Sequence, residues 1–589
     1  MSFLARRATG LLALGVFAAT FAGVFFYAPQ TGYTRDEGFY FDAAEHYAGW
    51  FRVLASDPRQ AIGEATIRRH FEINREHPVL VKNLMALSYL ALAADEPARP
   101  AAWPAEQHGL YARAMRLPAH LFAALAACLT FLLGAAVASR RVGLFAALAF
   151  ILAPRHFYHA QLACFDMPAV AIWLAVILAY RKARGSLAWG VLCGAIWGLA
   201  LGIKHNSFFI PAILVVHWLI VSGKEFSASR RGVLFPRIPL AFFSMLILGP
   251  LVFIVHWPFL WHHTAERIGW YFGFHLHHVH YPWEYFGRLL TEPPFPWFYP
   301  FALTALTLPL PTLVLGVWGF FGAAGCRLGR PLRSIGGALL RLAGIYPHRS
   351  RSGQDQADYG LDAWDGWMLL LNALVPVLVI AVPSVPIFGG IKHWMHAMPF
   401  ACLLGGLALE RMLAALPARW LRRARPRSAA RARHPVFALA AALALLPSLL
   451  GLIHLGPYGS SFYNELAGGV AGAAELGMQR QYWSNNVTGV LPFINDNLPP
   501  KARLYLHEVT GESIRAYKRD GLLRPDIRTA WSPQTADFIA YQVHREFADV
   551  EYQAWHEAGH ARILHGLYID EVPIVLVYDL RAEPQDGDP

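Results

Sequence analysis

Long apolar runs separated by short polar stretches dominate the first 455 residues of the chain. Runs at 9–28, 117–138, 142–157, 166–181, 187–203, 207–222, 238–260, 298–325, 366–383, 395–413 and 435–455 approach the ~20 residues that a helix needs to cross a bilayer. A further run at 78–94 is interrupted by Lys82 and Asn83 and reads as a helix lying at the interface. From about residue 456 the pattern changes. Turn signals at Asn495–Pro500 and short apolar runs at Arg503–Leu506 and Val572–Tyr578 alternate with helical stretches, the signature of a small α/β unit. The expectation is an all-α polytopic membrane domain over 1–455, with about eleven spans and an external loop at 29–116 that carries interfacial helices. An external α/β domain over 456–589 follows it.

Composition agrees with the pattern. The chain is 56% hydrophobic and 15% charged over 589 residues, with a mean hydropathy of +0.34. That is too apolar for an ordinary soluble protein. The net charge of +12 is a topology signal. Cytoplasmic loops retain Lys and Arg, and Arg6–Arg7, Arg140–Arg141, Arg181–Arg184, Arg230–Arg237, the arginines of 327–351 and those of 419–433 fall in alternate loops. With eleven spans these loops share one side. The loops 29–116, 155–165, 204–206, 261–297 and 384–394 and the tail then share the other. The charge therefore does not point to nucleic acid. No small-residue cleavage site follows the first apolar run, which reads as a retained span. Five cysteines, an odd number without a CxxC, read as packing residues and carry no redox signal.

The chemistry crowds the outward loops. Asp36–Glu37 opens the first external loop, and adjacent carboxylates beside lipid are rare and usually functional. His77–Pro78 precedes Lys82, which suits either a lipid phosphate or a lysine snorkelling to the interface. The second loop carries Arg155 and Asp166; Asp166 also fits a helix N-cap. Lys204 and His205 occupy a tight turn between two runs, where the lysine fits an anion site or an interface marker. The fourth loop holds seven histidines, among them His278, with Tyr281–Phe286 after them. Their spacing matches no zinc signature, so metal ligation, a sugar or headgroup surface and interfacial anchoring all remain open there, and a divalent metal is one candidate cofactor. Lys392–His393 ends the fifth loop, and Tyr463 follows the last run. A carboxylate base with phosphate-binding cations at lipid depth suits displacement of a lipid phosphate from a sugar.

In the order of these motifs the chain resembles membrane glycosyltransferases of the GT-C fold, in the protein O-mannosyltransferase-like branch, to which aminoarabinose transferases acting on lipid A are related. The resemblance rests on Asp36–Glu37, His77–Pro78 with Lys82, Arg155 to Pro168, Gly198 to Asn206, Pro293–Pro294 with Trp297–Tyr299, Gly389 to His393, and Tyr463–Leu466 with Tyr482–Trp483. It implies transfer of one sugar from a polyprenyl-phosphate donor to a hydroxyl of a lipid, glycan or protein acceptor, with inversion, on the non-cytoplasmic face. Asp36 would be the base, with Glu37 assisting. Lys82, Lys204, Lys392 and His393 would handle the phosphate, and Asp166, His77, Arg155, His205, His278 and Tyr463 would organise the site. Two positions depart from the pattern of relatives: Val79 stands where a second proline is common, and Lys392 where arginine is common. Alternative readings are a glycan ligase using a diphosphate carrier, a transporter or flippase of lipid-linked sugar, and a scaffold that binds through its tail. The alanine- and arginine-rich composition points to a bacterial inner membrane with the site facing the periplasm.

Overall fold

The structure, a computed structural model, describes residues 3–95, 109–223, 237–328, 361–415, 429–558 and 562–581. Of the basic groups that carry the orientation signal, most of 230–237, 327–351 and 419–433 lies outside the described residues.

All eleven apolar runs are helical. Six helices among the described residues are long and apolar enough to cross a membrane: Arg6–Gln30, Leu110–Val137, Leu310–Arg327, Ala363–Ile380, Met395–Ala414 and His434–Leu455. A seventh results if Pro154–Gln161 and Asp166–Ala183, bent by 102° at their junction, form one broken span. Four further apolar helices are shorter, so eleven full-length spans are not observed. Proline explains two of the breaks. It has no N–H to continue a helix, and it interrupts the run 142–157 at Pro154 and the run 298–325 at Pro309. The run 78–94 is the helix Leu80–Leu92, as expected, and it packs against Arg35–Ser56 and Leu110–Val137.

Glycine sets one close helix contact. Leu187–Leu201 carries Gly190, Gly194 and Gly198 at four-residue spacing, one stripe along a helix face. That stripe lies against Leu240–Val255. A Cβ on Gly198 would stand 2.6 Å from the Gly249 carbonyl oxygen and 2.7 Å from Val252 Cβ. Small residues let backbones approach this closely where no hydrophobic drive between helices exists.

The tail builds a five-stranded sheet in the order β4-β3-β5-β7-β6, from β3 (Arg503–Leu506), β4 (Arg528–Thr529), β5 (Phe538–Gln542), β6 (Ile563–Ile569) and β7 (Val572–Asp579); β1 (Trp283–Tyr285) and β2 (Arg288–Leu290) form a separate hairpin in the fourth loop. Strand β3 runs parallel to β4 and β5, and β7 is antiparallel to β5 and β6. The two-residue β6–β7 turn, Asp570–Glu571, has both φ positive (48° and 67°), the backbone twist that closes a tight hairpin. Every residue of β5 is buried.

The tail is locked onto the segment that follows the first apolar helix. Helix Gly511–Arg519 packs along Arg35–Ser56. Ser513 Oγ donates to the Thr34 carbonyl at 3.1 Å, and Tyr33 N–H donates to Tyr517 Oη at 2.8 Å. Arg515–Asp42 (3.1 Å) and Arg519–Glu45 (2.9 Å) pair across the same seam.

Gly198→Ala forces a methyl into the Gly249 carbonyl. The expected loss is about 1–3 kcal/mol, the usual cost of overpacking. Thermal unfolding of the purified protein in detergent checks it; an unchanged midpoint would show that the helix pair yields without cost.

Candidate active site

Residues 34–37 are shaped by a capping box. Thr34 Oγ1 accepts from Glu37 N–H (3.2 Å), and Glu37 Oε2 accepts from Thr34 N–H (3.0 Å), which starts helix Arg35–Ser56. Glu37 is fully buried and points into the protein. Its Oε1 also accepts from Arg116 Nε (2.7 Å) and Ala163 N–H (2.8 Å), and its Oε2 from Arg116 Nη2 (2.9 Å). Arg116 gives its remaining N–H groups to the carbonyls of Ala28, Thr31 and Gly32 at 2.8–3.0 Å. All five guanidinium donors are thus used. Glu37 therefore sits as an orienting residue, without a free oxygen for a substrate.

Asp36 is free of that network. Successive helix positions are rotated by about 100°, so its carboxylate faces elsewhere and keeps 28% side-chain exposure. Its Oδ2 lies 3.8 Å from Lys392 Nζ. Gly389 and Gly390, with φ of +64° and +63°, turn the fifth loop so that Lys392 reaches that point. A Cβ on Gly390 would come within 3.0 Å of the Tyr482 ring. The Lys392 ammonium lies over the rings of Phe388 (4.5 Å) and Trp483 (4.6 Å). Trp483 is held there by its carbonyl, which accepts from Arg35 N–H at 3.1 Å. Burial pulls the Lys392 ammonium below the usual lysine range, partly offset by the Asp36 and Asp166 carboxylates.

A second carboxylate stands in the same field. Asp166 accepts from Lys204 Nζ at 2.6 Å and from His159 Nδ1 at 2.9 Å. A carboxylate only accepts, so Nδ1 carries the proton; when the imidazole is neutral, its Nε2 accepts from Tyr482 Oη at 3.0 Å. Lys204–Asp166–His159–Tyr482 is thus a continuous buried chain. Asp166 spends its side chain on these partners, and no side chain caps its helix. Asn206 Nδ2 donates to the His393 carbonyl at 2.9 Å, joining the third turn to the fifth loop. Burial, with Lys392 and Lys204 nearby, pushes the His393 imidazole well below its ordinary value. Its Nε2 is buried without a hydrogen-bond partner.

Other expected residues divide. His77 packs edge-on to Tyr40 and Phe165 within the field of Lys204 and Lys392, and His205 stacks on His275 with ring centroids 4.3 Å apart. His278 stacks on Phe388 at the rim. Tyr463 and Arg155 meet at the far side of Tyr482, with Arg155 4.6 Å and 5.7 Å above the two rings. Lys82 is the correction. Its ammonium is buried and donates to Asn74 O (2.6 Å), Asn74 Oδ1 (3.0 Å) and His77 O (3.0 Å). With three protons committed to three acceptors, it holds the loop 74–77 and is not open to a phosphate. The fourth-loop histidines find backbone carbonyls: His262 that of Ile62, His275 that of Glu76, His277 that of Gly273. Among the described residues no group of three or more His, Cys, Asp or Glu converges to hold a metal.

Arg116, His159 and Tyr482 did not stand out as site residues in the sequence. The only local signal for Arg116 is an arginine one and a half turns into an apolar helix, just before Pro118.

No protein-family model and no curated protein sequence matches the chain. Among solved structures it is similar to ArnT from Cupriavidus metallidurans in the apo state, at 16% identity and a TM-score of 0.46, over 98% of this chain and 100% of that one. The same protein bound to undecaprenyl phosphate aligns at 16% identity and 0.45 over the same shares. The oligosaccharyltransferase of Archaeoglobus fulgidus in the apo form aligns at 12% identity and 0.41, over 89% of this chain and 65% of that one.

Glu37→Gln leaves Arg116 buried and unbalanced. Breaking one side of a buried pair costs about 3–5 kcal/mol, whereas Asp36→Asn touches no such network. Thermal unfolding in detergent should therefore drop sharply for the first variant and stay near wild type for the second.

Proposed function

We propose that this protein is a GT-C-type membrane glycosyltransferase that moves one sugar from a polyprenyl-phosphate donor to an acceptor hydroxyl. One observation carries the reading: a partly exposed carboxylate, Asp36, held beside a buried ammonium, Lys392, with the Asp166–Lys204 pair in the same field. The acceptor is a lipid, glycan or protein hydroxyl at the non-cytoplasmic face, which in a bacterium is the periplasmic side of the inner membrane.

Asp36 takes the proton of the acceptor hydroxyl as that oxygen attacks the anomeric carbon. The bond from that carbon to the phosphate oxygen breaks, and the released lipid phosphate, carrying the electron pair, is held by Lys392 and Lys204. Attack opposite to departure inverts the anomeric centre, and no covalent enzyme intermediate forms. Asp166 keeps Lys204 aimed and His159 in one tautomer. The imidazole of His393, neutral and with a free Nε2, is a hydrogen-bond partner for a donor oxygen. Glu37 and Arg116 fix the helix that presents Asp36. No step is routed through a metal.

Release of free polyprenyl phosphate in liposomes supplied with polyprenyl-phosphate sugars and a lipid extract tests the reading. Asp36→Asn keeps the shape of the side chain and removes the base, and should lower release at least about a hundredfold. Equal release by both proteins would remove Asp36 from the mechanism, and no release by wild type would remove the transferase.

Lys392 sets an alkaline limb. Its active form is the ammonium, and its pKa lies below that of a free lysine. Activity therefore falls as pH rises through that lowered value. Lys392→Arg stays charged throughout and should move the limb upward. A limb that does not move would assign it to another group.

A further inference from the structure

Behind the helix that carries Asp36 lies a second space. A cavity of about 870 Å³ opens between Arg35–Ser56, Tyr111 at the start of Leu110–Val137, and the tail helix Gly511–Arg519. That falls within the roughly 300–1,000 Å³ of small-molecule sites. Gly38, Asp42 and Glu45 line it from the first of these helices. Gly38 is two positions beyond Asp36, and at about 100° per residue it faces nearly the opposite way. One helix thus serves two sites, with Asp36 on one side and the cavity on the other.

Three features of the lining decide what fits. The first is charge. Asp42, Glu45 and Glu512 stand against Arg515, Lys518 and Arg519, so the charges of the wall cancel. An anion loses to the carboxylates what it gains from the cations, and a cation fares no better. The second is unfilled polar capacity. Arg515 donates to Asp42 Oδ1 at 3.1 Å and lies 3.5 Å from Glu512 Oε1. Both contacts use Nη2, which leaves Nε and Nη1 on a side chain that is 66% exposed. The pair therefore offers N–H groups next to carboxylate oxygens. A hydroxyl uses both, since it donates once and accepts twice. The third is Trp531, which is 65% exposed and rests on Gly511, where a Cβ would stand 3.2 Å from the indole Cη2. Its ring is a broad apolar face with a polar N–H. Six charged side chains around it exclude a lipid tail. A sugar ring matches all three features: it is uncharged, its C–H faces are apolar, and its rim is hydroxyl.

We infer that this cavity binds an uncharged oligosaccharide. As a glycan site it stands on its own geometry; as a docking site for a glycan acceptor, it rests on the function proposed above. An acceptor anchored there is tethered to the helix that presents Asp36, which raises the effective concentration of its free end at that carboxylate.

Retention of the purified full-length protein, in detergent, on an array of immobilised neutral oligosaccharides tests it. Acidic oligosaccharides of equal length and a Ser/Thr-rich peptide share the array. The expected result is saturable retention on one or more neutral glycans, at least about tenfold weaker on the acidic ones and absent on the peptide. Trp531→Ala should weaken retention by about tenfold or more, and Trp531→Tyr, which keeps a ring, by only a few-fold. Arg515→Gln, at another exposed position, should cost a few-fold and decides the matter if the tryptophan variants fail to fold. Retention on no neutral glycan would overturn the inference. So would equal or stronger retention on the acidic glycans or the peptide, or retention unchanged in the variants. Glycan binding by a protein that transfers no sugar would leave the cavity's assignment standing and remove the transferase; transfer by a protein that binds no glycan would do the reverse.

Discussion

The ion pair between Arg116 and Glu37 is the constraint on which the site depends. Both side chains are buried, and taking two charges out of water is repaid only when every remaining donor and lone pair finds a partner. Here they do. The guanidinium gathers the end of the first span through Ala28, Thr31 and Gly32, and Glu37 gathers its own helix start and the second loop through Ala163. Three stretches of chain, 28–37, the helix with Arg116 and the loop with Ala163, meet at one point, and Asp36, the neighbouring residue, is carried along. Of two adjacent acids, one is consumed by structure so that the other can be held in place.

Around Asp36 the charges come in opposed pairs, Lys392 with Asp36 and Lys204 with Asp166. In a low-dielectric setting such pairs interact far more strongly than in water. Their near balance leaves these four groups together roughly neutral. The tail belongs to this assembly. Helix Gly511–Arg519 lies close enough to Gly38 that a Cβ there would meet Ser513 Oγ, and Tyr33, one residue from the capping box, is bonded to Tyr517 and Asp520. Loosening the tail would loosen the turn that presents Asp36.

The apolar runs, the helix at 80–92 and the strands at 503–506 and 572–579 were legible because burial in lipid or in a sheet imposes a period on the chain. Asp36, Asp166, Lys204 and Lys392 stand out in the sequence because charge beside lipid is costly, and the structure pairs them. Partnership was not. His159 finds Tyr482 across 323 residues and Arg116 finds Glu37 across 79, and nothing local to either residue encodes the other. The same blindness reversed Lys82: its surroundings in sequence suit a phosphate, whereas its three protons go to the turn at Asn74 and His77. The seven fourth-loop histidines look like ligands together, yet several are satisfied singly by main-chain carbonyls.

The two fully buried arginines make the sharpest contrast. Arg116 has five donors and five acceptors, two of them on a carboxylate, and reads as a closed piece of structure. Arg155, equally buried, has the Phe462 carbonyl and the Tyr463 and Tyr482 side chains beneath it, and no carboxylate pair among the described residues. A polar network in a low-dielectric interior is worth most when complete and costs most when partly satisfied. The two arginines thus hold the fold by different means, one through a carboxylate and main-chain carbonyls, the other through a single carbonyl and the two tyrosines it lies over.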